Sequence, residues 1–323
     1  MSTKKPRLWA PKPHKAVDWN QKAIEKALQQ GPLDACVKYD GFRCLITRID
    51  GERRITTREG IELTSLDVFR PKFGSLLSEH DALCLDAEVC ILGVPFEDAS
   101  GLLRRDAPLT GEQLCKVRFV VFDCVRRQHM QADTTDAGCR RDRVRWLHRY
   151  LPEDRLERRN TGGIYLEAPW LVYSIEDIAH CYKAVRGRGE EGMILKSPWL
   201  DYRNGKVTGW WKVKPGCGAD FAPGFEADGI VVGYVWGDES KGNAGKIVGF
   251  RVKLEDGTEV NATGLTQPQM QRYTETVEYE RRCGNDDPYI GDHSRVSGME
   301  RTKDGSIRHP HFDGFRDVGG TKA

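Results

Sequence analysis

The sequence predicts an α+β protein in two parts: a larger domain of mixed antiparallel sheet and helix, followed by a small β barrel of the OB type. Two observations carry the division. The 323 residues exceed what one hydrophobic core usually organises. A stretch rich in Gly, Pro and Ala at 215–224 also interrupts the periodic pattern. A third gives the class of each part. Strand and helix periodicities mix before the break, whereas after it come mostly strands with one inserted helix, the content of a five-stranded barrel. The expected boundaries are 1–217 for the first domain, 218–227 for the linker and 228–323 for the second.

The first helix is expected after Asp18, with Gln21 completing a capping box, and ends at Gly31-Pro32. Residues 42–49 and 54–58 read as a hairpin around the Asp50-Gly51 turn, since Asp-Gly accepts the positive φ angles such turns need. Segments 83–92 and 117–125 are apolar and β-branched enough for strands, with 93–111 read as a loop between them. Val144, Leu147 and Leu151 keep helical spacing, as do Ile175, Ile178, Tyr182 and Val185 behind a Ser174 cap. Strands at 193–196 and 210–214 complete the first domain. The second holds strands at 229–236, 246–254 and 259–263 and a helix from Thr266 to about Arg282.

Net charge is only +2, so affinity for a polyanion must come from local clusters such as Lys4, Lys5 and Arg7, or Arg140, Arg141, Arg143, Arg145 and Arg149. The ten cysteines show no CxxC pair and no zinc spacing, which predicts reduced thiols in a cytosol. No signal peptide and no membrane-spanning run is apparent, so the expected location is cytoplasmic, with no membrane partner.

The chemistry concentrates in a few segments. Lys38-Tyr39-Asp40-Gly41-Phe42-Arg43 puts a lysine where a strand meets a turn. A lysine becomes a nucleophile when neighbouring cations or desolvation favour its neutral amine, and Arg43 contributes to that. Strand alternation in Leu85-Asp86-Ala87-Glu88-Val89 sends Asp86 and Glu88 to one face. Glu190-Glu191-Gly192-Met193-Ile194-Leu195-Lys196 sets a carboxylate and a lysine at opposite ends of another strand. Carboxylates of this kind suit Mg²⁺, which keeps waters and bridges to phosphate oxygens. In Trp210-Trp211-Lys212-Val213-Lys214, Lys212 and Lys214 lie two apart and converge as a phosphate site. Phe122, preferred over Phe119, offers a face for a purine, and Arg58 is a candidate for ribose or a DNA phosphate.

Together these segments resemble the covalent nucleotidyltransferase superfamily of DNA ligases, RNA ligases and mRNA capping enzymes. Within it the chain is most similar to the short two-domain ATP-dependent DNA ligases of T-odd-like bacteriophages, over 15–316. The stretch 191–215 and Asp304-Gly305-Ser306-Ile307-Arg308-His309-Pro310 carry the closest match. The resemblance implies an adenylation domain (nucleotidyltransferase, ATP-grasp-like) followed by an OB-fold domain. It implies ATP as AMP donor, Mg²⁺ with Mn²⁺ as a substitute, and nicked double-stranded DNA as partner of a monomer, with no sliding-clamp signal. A phage-encoded chain would work in the host bacterial cytosol.

By the same resemblance Lys38 carries AMP, with Lys212 and Lys214 as further catalytic groups, while Cys36 and Val37 border the adenine stacked on Phe122. Arg43 and Arg58 contact ribose or the nick phosphate, and Lys196, Lys212 and Lys214 the phosphates of ATP. Glu88 binds ribose or metal, Glu191 binds metal, and Arg308 and Arg316 orient pyrophosphate. Phage relatives often carry a glutamate where this chain has Cys36, and no lysine follows Arg316-Asp317. An RNA ligase, a capping guanylyltransferase and a non-catalytic DNA-binding OB protein are the alternative readings. The lack of a four-cysteine zinc module argues against an NAD-dependent ligase.

Overall fold

The computed structural model describes residues 5–78, 83–132, 138–153, 162–302 and 305–316; Lys4, Asp304 and Asp317 lie outside them. In chain order the elements are β1 (His14–Val17), α1 (Gln21–Leu28), β2 (Leu33–Lys38), β3 (Phe42–Ile49), β4 (Glu52–Thr57), α2 (Gly74–Ser78), β5 (Leu83–Ile91), α3 (Phe96–Arg104), α4 (Gly111–Lys116), β6 (Val117–Arg126), α5 (Arg140–Leu147), β7 (Gly163–Leu166), β8 (Trp170–Val172), α6 (Ile175–Arg186), β9 (Gly192–Lys196), β10 (Gly205–Val213), β11 (Phe225–Trp236), β12 (Ile247–Leu254), β13 (Glu259–Thr263), α7 (Gln267–Arg282), β14 (His293–Gly298) and β15 (His311–Phe315). They fall into two units, Met1–Val213 and Lys214–Ala323. The division thus lies a few residues ahead of the expected one.

The first unit contains two five-stranded sheets, in the orders β1-β10-β9-β2-β8 and β4-β3-β5-β6-β7. Pairing is antiparallel except where β1 joins β10 and β7 joins β6. Hydrophobic alternation along β5 sends Leu83, Leu85, Ala87, Val89 and Ile91 into one core, where they meet Phe69, Phe73 and Leu103. Asp50 and Gly51 both take positive φ, 51° and 78°, so the β3–β4 hairpin turns as the Asp-Gly pair requires.

Two local expectations are corrected. The α1 cap is Asn20, whose Oδ1 accepts from the Ala23 N–H at 3.0 Å, while Asp18 instead pairs with Lys206 and Lys212. Residues 93–111 are not all loop, because α3 forms there and buries Ala99 and Leu103. Its nine residues include Gly101 and lack a side-chain N-cap, so packing against the sheet rather than local propensity supports it.

The second unit is a closed barrel, β11-β12-β13-β15-β14, with only the β13–β15 pair parallel. Strand order and the helix between the third and fourth strands are those of an OB-fold. Thr266 and Gln269 form the capping box of α7, whose Met270, Tyr273 and Val277 cover a barrel core centred on fully buried Phe250.

Candidate active site

One wall of a cavity in the first unit follows from side-chain alternation across three neighbouring strands. Asp34, Lys196 and Trp210 are cross-strand partners, as are Cys36, Ile194 and Lys212, while Lys38 pairs with Gly192. Directly opposed residues share a face, so Lys38, Ile194, Lys196, Trp210 and Lys212 point the same way. All five line a cavity of about 420 Å³, joined by Lys15, Ala16, Val37, Tyr39, Arg43, Arg58, Glu88, Phe122, Glu167 and Lys206. Cys36 lies on this face too, yet it is fully covered and takes no part in the lining. Burial drives its thiol well above the usual range, so it stays a neutral, weakly polar filler.

The opposite wall comes from the second sheet. Arg43 and Glu88 are cross-strand neighbours on β3 and β5. Arg43 grips Asp86 with two bonds, Nε to Oδ1 at 2.8 Å and Nη2 to Oδ2 at 2.6 Å, and the Tyr202 hydroxyl donates to the same Oδ2 at 2.6 Å. The guanidinium is therefore anchored rather than free to swing. Gly41 lets the chain pass close to β5, since a Cβ there would sit 2.6 Å from Cys90 Sγ and 2.7 Å from Glu88 Cγ.

Phe122 reaches the cavity because β6 carries one extra residue. Asp86 pairs with Asp123 and Ala87 with Val121, which leaves Phe122 as a bulge. Before the bulge Phe119 and Val121 face the core; after it Cys124 does, so Phe122 and Asp123 both turn away from it. Asp123 pairs with Arg143 at 2.7 Å.

The charges are arranged in pairs. Lys38 Nζ contacts Glu191, and Lys196 Nζ lies 2.8 and 2.6 Å from the two Glu167 oxygens. Arg140 joins Glu167 to Asp34, at 2.9 Å from the former. Lys196 also lies 4.5 Å from the Phe122 ring centre and 4.8 Å from that of Trp210, which sets its ammonium among aromatic faces. Lys212 reaches Asp18 at 3.3 Å. The carboxyl of Glu88 is pushed up to about 8, mainly by burial. The positive charges of Arg43 and Lys38 oppose this rise, and the carboxylates of Asp86 and Glu191 add to it.

Two other groups of candidates lie elsewhere. Strand β10 ends at Val213, so Lys214 belongs to the second unit, where its Nζ is 3.9 Å from Met299 Sδ. That unit also holds Arg308, 4.0 Å from Glu300, and Arg316, which clasps Asp228 with two 3.0 Å bonds. In the first unit a groove of about 440 Å³ adjoins the cavity and shares Lys15 and Arg58 with it. Arg7 and Lys12 add to its positive charge, and Glu59, 2.6 Å from Arg58, is its one carboxylate.

Comparison with known proteins gives this pocket its context. Residues 13–214 match the ATP dependent DNA ligase domain and 223–281 the DNA ligase C-terminal domain. The chain belongs to the ATP-dependent DNA ligases. It is 32% identical to the DNA ligase of Enterobacteria phage T3 over 94% of this chain and 95% of that one. Identity to the DNA ligase of Escherichia phage T7 is 31%, with the same coverage. The solved T7 ligase, in complex with ATP, aligns with a TM-score of 0.55 at 30% identity, covering 94% of this chain and 98% of that one.

Several residues of the ligase cavity escaped sequence reasoning. Glu167, Lys15 and Lys206 stand outside the motifs, and only the fold brings them to Lys38. Glu167 did carry one signal, as an acidic residue directly after a short apolar run at 164–166.

Proposed function

We propose that this ligase seals nicks through a lysyl adenylate on Lys38. The reading rests on one observation: the Lys38 amine is held by Glu191 inside a cavity that combines purine-sized apolar walls with several cations. Phosphoryl transfer needs mostly positioning and charge stabilisation, and these groups supply both. Lys38 attacks the α-phosphate of ATP and pyrophosphate leaves. AMP then passes to the 5′-phosphate at the nick, and the 3′-hydroxyl displaces it. Lys212, directed to the cavity by β10, offsets charge on the phosphates, while Arg43, fixed by Asp86, holds the ribose or the nick phosphate. Phe122 supplies the stacking face, and Val37 packs beside the base. Lys214 joins Lys212 in offsetting phosphate charge, and Arg308 and Arg316 orient the pyrophosphate leaving group.

Glu88 and Glu191 fit a Mg²⁺ site. Burial and neighbouring carboxylates oppose the Glu88 charge, a situation that a divalent cation relieves. Among the described residues no three His, Cys, Asp or Glu side chains are grouped to hold a metal alone. Two carboxylates therefore suit an ion that keeps its waters and shares phosphate oxygens. When bound, Mg²⁺ would neutralise charge developing on those oxygens.

The cationic groove sharing Lys15 and Arg58 with the cavity suits the backbone of a nicked duplex. A single test covers the reading: incubation with ATP labelled at the α-phosphate and Mg²⁺, followed by a nick-sealing gel. The parent should form an alkali-stable, acid-labile protein–AMP adduct, as a phosphoramidate requires, and join the nick, and Lys38→Ala should do neither. An adduct that persists in Lys38→Ala would overturn the assignment.

A further inference from the structure

Resting on the lysyl-adenylate reading, we propose that Glu167 determines the choice of nucleotide, by accepting a hydrogen bond from the exocyclic amine of a 6-aminopurine. Cys36, at the position expected to meet the base, is sealed beneath the cavity and offers it no polar atom. Glu167 is 3% exposed, yet it lines the cavity. Its backbone N–H donates to the Val121 carbonyl at 2.9 Å, which fixes it beside Phe122, the stacking face.

The chemistry of the neighbours sets the polarity. Glu167 receives two contacts from Lys196 and one from Arg140, leaving part of its capacity of about four lone pairs. Asp34 and Glu167 balance Arg140 and Lys196, so the cluster is neutral without a further cation from the ligand. Glu167 lines the cavity proposed to take the purine, so its remaining acceptor capacity is available to a group held there. A carboxylate there attracts an N–H donor and repels a carbonyl oxygen, so an amine at position 6 is matched and an oxo group is not.

Glu167→Gln tests this with little change in shape. Lys196 and Arg140 would both claim the amide oxygen, turning the amide N–H₂ toward the cavity, where it favours a 6-oxo purine. The measurement is the efficiency of protein–AMP or protein–IMP adduct formation with ATP and with ITP. The parent should prefer ATP by roughly 10- to 100-fold, the scale of one buried hydrogen bond to a charged group. In Glu167→Gln that ratio should collapse to near one or invert. A purely structural Glu167 would slow both nucleotides alike and keep the parental ratio, which would overturn the proposal. Should Glu167→Gln fail to fold, equal use of ATP and ITP by the parent overturns it equally, and a parental preference in the range above upholds it. Failure of the parent to form any adduct refutes the lysyl-adenylate reading itself, an outcome distinct from a lost preference.

Discussion

At the scale of single residues, the site depends on side chains held by partners outside the cavity. Arg43 is useful because Asp86 and Tyr202 restrain it, and Asp86→Asn would leave a buried guanidinium half-paired. The expected cost is about 3 kcal/mol of folding stability, measurable by urea unfolding, with adenylation impaired as well. His14 belongs to the same layer. It is fully buried against Trp210 and Tyr202, and its pKa is lowered to about 4, first by burial and then by Arg43 and Arg143, with Asp123 opposing. Because the folded value lies below the unfolded 6.5, its contribution is complete above pH 6.5. It is lost as pH falls toward 4, since the unfolded chain then binds the proton more readily. Unfolding free energies of the parent and His14→Phe, measured from pH 7 to 4, should diverge by about 3 kcal/mol in total over that window. Parallel curves would remove His14 as the cause.

At the scale of elements, the strands were legible where alternation was clean and lost where it broke. The segments around Lys38, Glu88 and Lys196 announced themselves because period-two patterning, a turn and charged residues coincided. By contrast β1, β7 and β8 are three or four residues long and draw their stability from neighbours, so no local pattern marks them. Phe122 was chosen for its type, whereas the bulge that presents it depends on the pairing of β6 with β5. A chain lacking residue 122 would restore regular alternation, since Cys124 would stay in phase with Val121 and Phe119. Stability should fall little, while nucleotide binding, read by calorimetry, should be lost. Gly41→Ala should do the reverse of a clean deletion. It forces β5 and the turn after Lys38 apart at a cost of about 1–3 kcal/mol, with slower adduct formation.

At the scale of the whole molecule, the two units carry separate cores: the first unit's clusters lie against the β4-β3-β5-β6-β7 sheet, and another fills the closed barrel of the second. Phe250→Ala should therefore destabilise the second unit by about 3–5 kcal/mol and lower only one of two calorimetric transitions. One merged transition that shifts as a whole would contradict that independence. The order of the two units and the barrel class were readable from the break at 215–224, while the exact division was not, because β10 ends before the glycine-rich run begins. Total charge is nearly balanced, yet Arg7, Lys12, Lys15 and Arg58 gather in one furrow that adjoins the cavity of Lys38. If this furrow takes the strand as proposed, it would draw a polyanion toward the proposed active site. Added salt should then shorten its stay on a duplex far more than it slows the bond-making step, so the crowding of cations proposed to capture a broken strand would also let the mended one go.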